Sequence, residues 1–331
     1  MKKFMLLFLS CAFLMATDKF IIAHRGASAY LPENTAESMI LAHALNAPFV
    51  EFDLVLTKDN EAVIIHDLYL DQLSDVAQKF PKRKRKDGHY YAIDFTLAEL
   101  KSLRMSEVFT DKNVAKFPKR FPIHSSHFSI STLEEMIELI QGLNKTTGKN
   151  TGFFMEIKKP WFHAKEGKDI AKIVLDKLKK YDFKEELYFS CFDLDALKRI
   201  KNELNAEGKL PLKLLFAIGQ NQWKETYIQR GKKWVLFDYE PYLRGEKFEE
   251  LAQVVMGVSP SFGDLLKVDD FISKAHASGL KVITWTHRDD ALPEWAKDSD
   301  DFFETILFKE KADGIFTDFV DLGLKFIENK K

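Results

Sequence analysis

Four short apolar segments of this 331-residue sequence contain or end in ionisable side chains: His24-Arg25-Gly26, Glu51-Phe52-Asp53, His66-Asp67 and Glu156-Ile157-Lys158. One such end alone says little. Together they are hard to explain as surface decoration, because α/β barrels build their active sites where strands end and loops begin. Glu51 and Asp53 stand two apart and so point to the same face of a strand. The segments 49–55 and 62–66 are separated by a few polar residues, too few for a parallel crossover, which makes them a β-hairpin. A two-residue turn pairs odd positions with even ones in either register. Both registers place His66 on the face of Glu51 and Asp53.

Glu51, Asp53 and Glu156 in one pocket would repel one another strongly in a low dielectric. Arg25 and Lys158 cannot balance three carboxylates and also serve a substrate. A divalent cation resolves the excess, and oxygen ligands without cysteine favour a hard ion, Ca2+ or Mg2+, over a zinc site built on the histidines. His24 and His66 then form an acid–base pair, since histidine holds either role near neutral pH. A phosphodiester needs this equipment and no nucleophilic Ser or Cys. Cationic groups take up charge on the phosphoryl oxygens, one imidazole deprotonates the attacking hydroxyl, and the other protonates the leaving alkoxide. His163, shortly after Lys158, is expected near the mouth of such a site.

These residues must be held by strands and helices. Apolar runs recur at 20–23, 49–55, 153–157, 187–190, 212–218, 254–259, 281–285 and 314–317, with helically spaced stretches between them. Eight strands, each followed by a helix, predict a (β/α)8 TIM barrel. The 62–66 segment is an extra antiparallel strand outside the barrel. Residues 67–130 are its largest insertion, with a charge run at 82–86 read as a solvated loop and a helix over 96–103.

Composition narrows the function further. Lys+Arg number 49 against 50 Asp+Glu, which excludes a globally basic nucleic-acid binder. Two cysteines exclude a disulfide scaffold, and no apolar run is long enough to span a bilayer. Met1-Lys2-Lys3, an apolar run over 4–15 and Ala16 predict a secretory signal peptide, 1–16, ahead of a catalytic region over 17–331. Phe8-Leu9-Ser10-Cys11 is a weak match to a lipoprotein processing site. The apolar run before Cys11 is short for that, so simple export is expected.

The series His24-Arg25-Gly26-Ala27-Ser28, Pro32-Glu33-Asn34-Thr35, Glu51-x-Asp53, His66-Asp67 and Glu156-x-Lys158 resembles the glycerophosphodiester phosphodiesterase family in order and spacing. The resemblance continues through the segment 86–97, Pro160-Trp161-Phe162-His163, the segment 198–204 and Gly314-Ile315-Phe316-Thr317-Asp318, as in the exported, periplasmic bacterial branch. It implies a barrel with an insertion after the histidine hairpin. It implies Glu51, Asp53 and Glu156 as metal ligands, with Ca2+ the ion of periplasmic members, and His24 and His66 as base and acid. It also implies phosphate contacts from Arg25 and Lys158, a glycerol contact from Trp285 and a similar one from Phe192. Gln72 departs from the pattern, in which an arginine is common, and so bears on head-group specificity.

The expected reaction is hydrolysis of a small-molecule glycerophosphodiester to sn-glycerol 3-phosphate and an alcohol. The alternatives are a phospholipase D-like enzyme on intact lipids, and a surface binding or adhesion protein on the same barrel.

Overall fold

The computed structural model describes residues 19–208 and 210–330. The expected signal segment, with Cys11, lies outside them. In chain order the strands are β1 (Phe20–Ala23), β2 (Phe49–Leu56), β3 (Ala62–Ile64), β4 (Gly152–Ile157), β5 (Leu187–Cys191), β6 (Leu212–Ile218), β7 (Tyr227–Arg230), β8 (Lys233–Leu236), β9 (Gly257–Pro260), β10 (Lys281–His287) and β11 (Gly314–Thr317). Eight of them pair in parallel: β1, β2, β4, β5, β6, β9, β10 and β11. β1 pairs with both β2 and β11, so the sheet closes into the expected (β/α)8 barrel. Every apolar run read as a barrel strand contains one. In the 254–259 run the strand begins only at Gly257, because the helix Phe248–Ala252 has just ended. The β7–β8 hairpin was not expected; its residues are exposed or half-buried and carry no strong apolar alternation.

Side-chain alternation divides each strand between layers. On β2, Val50, Phe52, Leu54 and Leu56 pack outward against the helices, whereas Phe49 joins Phe154, Tyr188, Leu215, Ile283 and Phe316 in an apolar plug at the barrel floor. Glu51 and Asp53 share the inward face above Phe49. Glu156 follows two residues after Phe154, and Asp318 two after Phe316. The plug closes one end, so the polar groups above it open toward the other.

The hairpin register differs from the sequence reading. Leu54 pairs with Ile64 and Val55 with Val63, so even meets even and odd meets odd. The cause is a three-residue turn. Asn60 is left-handed at φ 66°, Thr57 N donates to Glu61 O at 2.9 Å, and Glu61 N donates to the Thr57 hydroxyl at 2.9 Å. A type I turn closed by an αL residue is a common alternative to the two-residue turn, and asparagine suits it. In this register His66 would face away from Asp53 if the strand continued. The ladder instead ends with Ile65 N donating to Asp53 O, and His66 turns into the site from beyond it.

Val55, Val63 and Ile65 pack under a second apolar cluster, formed by Leu70, Tyr90, Phe95, Leu100 and other side chains of the following segment. Its helix Leu97–Lys101 is shorter than expected and is capped by Thr96 and Glu99. The 82–86 run is not simply solvated. Arg83 lies 4.5 Å over the Phe95 ring, and Arg85 lies 4.2 Å over Tyr91 and pairs with Asp94 and Glu166. Among the described residues no helix is long and apolar enough to cross a membrane.

Candidate active site

The open end of the barrel holds a cavity of about 340 Å³, lined by the nine side chains expected to act as catalytic, metal or substrate groups: His24, His66, Glu51, Asp53, Glu156, Arg25, Lys158, Trp285 and Phe192. His24 and Arg25 follow β1. Arg25 has φ 56° and Gly26 φ 82°, a turn in which a side chain at Gly26 would collide with Ser38. Two successive left-handed residues reverse the chain and aim the Arg25 backbone N–H at Glu51 Oε2, 2.7 Å away. The Arg25 guanidinium is bound in turn by Glu33, at 2.9 Å to both oxygens, and lies 3.4 Å from Asp53.

Glu51, Asp53 and Glu156 each offer an oxygen within 4.8 Å of the others. Burial, then the Asp53 charge, raises the Glu51 carboxyl well above its ordinary range, and burial likewise raises Glu156 against the pull of Lys158. Asp53 goes the other way: burial acts to raise it, but the His66, Lys158 and Arg25 charges hold it low. Asn34 Nδ2 also donates to Asp53 at 2.9 Å, and Lys158 bridges Glu156 and Asp53. The donors are all hard oxygens, so the set fits a divalent cation.

His24 Nδ1 lies 2.6 Å from Asp318 Oδ1. Asp318 Oδ2 accepts from Arg120 and from Arg288, each at 2.8 Å. Burial acts to raise Asp318, but Arg288, His24 and Arg120 keep it well below the usual carboxylate range. Burial and the Arg25 charge lower His24 to about 4. His24 is therefore a neutral imidazole that donates its Nδ1 proton to an ionised Asp318, leaving the Nε2 lone pair for the cavity. His66 is tied similarly, with Nδ1 2.7 Å from Asp67.

The opposite wall is aromatic. Phe192 and Trp285 stand edge to face at 6.0 Å, and Trp285 Nε1 donates to Ser259 O at 2.9 Å. The Lys158 ammonium lies 5.5 Å over Phe192. Trp223, absent from the sequence reading, extends this wall at 5.8 Å from Trp285.

The sequence matches the profile of the glycerophosphoryl diester phosphodiesterase family over residues 24–322. It is 43% identical to a glycerophosphodiester phosphodiesterase of Haemophilus influenzae over 96% of this chain and 92% of that one. It is 37% identical to one of Treponema pallidum, over 94% and 92%. In structure it resembles a phosphodiesterase of Oleispira antarctica in complex with its product sn-glycerol-3-phosphate, with a TM-score of 0.61, 22% identity and 93% and 96% of the two chains covered. This chain belongs to the glycerophosphoryl diester phosphodiesterase family.

In this family member, sequence reasoning missed Asp318, Arg288, Arg120 and Trp223 as parts of the site. Asp318 and Arg288 follow β11 and β10 directly, so the strand-end criterion that found His24 would have reached them had it been applied to every strand. Arg120 carries no local signal: it comes from the insertion, is 4% exposed, and pairs with Asp290 as well as Asp318. His163 does not line the cavity. It is fully buried, with neither ring nitrogen bonded.

Proposed function

We propose that this enzyme hydrolyses glycerophosphodiesters such as glycerophosphocholine and glycerophosphoethanolamine to sn-glycerol 3-phosphate and the free alcohol. The observation that carries the reading is a pair of imidazoles lining one cavity, each with Nδ1 held by a carboxylate, beside a three-carboxylate cluster and two cationic side chains. The names of the Haemophilus and Treponema relatives support the substrate class, and the product bound to the Oleispira enzyme supports the glycerol side.

Glu51, Asp53 and Glu156 are the residues that would hold the metal, Ca2+ in our reading with Mg2+ the other oxygen-seeking candidate, and when bound it supplies positive charge to the phosphoryl oxygens. Arg25 and Lys158 bind the remaining phosphoryl oxygens. Trp285 and Phe192 pack against the glycerol carbons. His24 Nε2 takes the proton of the attacking hydroxyl, and Asp318 stabilises the imidazolium that forms. His66 gives a proton to the alkoxide that leaves. The attacker is either water or the glycerol 2-hydroxyl. The second route forms a cyclic phosphate that water then opens, and it fails with a 2-deoxy substrate while the first does not. The segment 1–16 directs the enzyme to the periplasm in this reading, which cell fractionation checks.

The decisive experiment measures release of sn-glycerol 3-phosphate from glycerophosphocholine by the purified protein, with EDTA and then with Ca2+ or Mg2+ restored. Activity that returns with metal upholds the reading and ranks the ions. No release from any of several glycerophosphodiesters in either ion sinks it.

A further inference from the structure

A second cavity, of about 220 Å³, lies against the first and shares Arg25, His66, Asp67 and Arg288 with it. The proposed proton donor to the leaving group thus stands on the wall common to both. One cavity contains the carboxylate cluster and the aromatic wall. The other is lined largely by the insertion, including Tyr69, Asp71, Gln72 and His89. A phosphodiester has two arms, and a leaving oxygen at His66 would direct the departing arm into the second cavity.

The charges there are unevenly satisfied. Arg25 is taken by Glu33 and Asp53, Arg120 by Asp290 and Asp318, and Arg288 by Asp318. Lys116 has no carboxylate partner among the described residues; it is exposed, with its ammonium 5.7 Å over Phe117. Asp71 pairs with no Arg or Lys among the described residues. It accepts from Tyr90 N at 3.1 Å and lies 3.5 Å from His89 Nδ1. Beside it Tyr69 and His89 stack at 4.2 Å. A carboxylate with no Arg or Lys partner, next to stacked aromatic faces, is a setting that attracts an ammonium group.

We propose that this cavity is the leaving-group subsite and that Asp71 and the Tyr69–His89 stack make it selective for cationic amino alcohols, so that the insertion and not the barrel reads the head group. Gln72 belongs to the same wall and donates to Asp111 at 2.7 Å. An arginine in its place would put a fixed positive charge beside Asp71. The proposal rests on the phosphodiesterase reading above.

The test is the ratio of kcat/KM for glycerophosphocholine to that for the uncharged-head-group substrate glycerophosphoglycerol. The wild type is expected to favour the first. Asp71→Asn, Tyr69→Leu and Gln72→Arg are each expected to lower the ratio about five- to tenfold. Because the readout is a ratio, a partly damaged variant still reports on selectivity. A ratio that stays within twofold of wild type in all three, whatever the absolute rates, overturns the proposal. A wild type that cleaves neither substrate overturns the phosphodiesterase reading itself, a different result from a flat ratio.

Discussion

His24 and Asp318 stand 294 positions apart in sequence and 2.6 Å apart in the fold, at the strand ends that close the barrel. Asp318 is in turn gripped by Arg288 and by Arg120, the latter from the insertion. The proposed base is thus held by a carboxylate whose ionisation depends on two guanidinium groups.

Replacing Asp318 should leave the barrel folded but misorient His24. Asp318→Asn is expected to lower kcat by about 10²–10⁴-fold, the range in which a positioned general base contributes. Steady-state kinetics beside circular dichroism measures this, and a folded variant within threefold of the wild-type rate would remove Asp318 from the mechanism.

His24 stays neutral to low pH because burial and Arg25 lower it to about 4. The base form exists above that value, so the acid limb of kcat/KM attributable to His24 should lie near pH 4. His24→Ala and His66→Ala should each be nearly inactive and folded. A limb near 6.5, the ordinary imidazole value, would count against a buried neutral base.

Arg120 is 4% exposed and neutralises Asp290 and Asp318 together. Arg120→Met would leave the buried Asp318 and the half-buried Asp290 with less compensation, at a cost of about 3 kcal/mol. Thermal unfolding should move down by roughly 10 °C. An unchanged midpoint would show that Arg288 alone suffices.

Glu107 is buried, with Oε2 unbonded, and burial followed by the Glu33 charge raises it to about 8. Its folded value exceeds the unfolded one, near 4.5, so between those two pH values the folded state holds more protons than the unfolded state. Stability from this group is therefore present below about 4.5 and falls as pH rises to about 8, by on the order of 5 kcal/mol. Glu107→Gln should flatten that slope in urea denaturation series; an identical slope would show that Glu107 does not cause it.

A divalent ion held by the proposed carboxylate cluster should also stabilise the fold, since a ligand that binds only the native state adds about 2.7 kcal/mol at a hundred times its Kd; Ca2+ is the ion to test first. The gain should vanish in Glu51→Gln, Asp53→Asn and Glu156→Gln. Equal thermal shifts in the wild type and all three variants would relocate the ion.

The positions of the barrel strands and seven of the cavity residues were legible in the sequence because both are local signals, whereas Trp285 and Phe192 came only from the family resemblance. An apolar run marks a strand, a residue just past it marks the site, and the period of two puts Glu51 and Asp53 on one face. What depended on contacts between distant segments was not legible. The pairing of β1 with β11 joins His24 to Asp318, and packing of the insertion on the barrel carries Arg120 to the same carboxylate; neither leaves a mark within a window of neighbours. The hairpin register turned on one residue, Asn60, whose left-handed backbone adds a third residue to the turn and reverses which face each partner takes. His66 reaches the site all the same, because its strand ends before it. Sequence thus determined which side chains stand at the mouth of the barrel. Their partners and charge states were decided by tertiary structure, because burial and long-range pairing exist only once the sheet has closed.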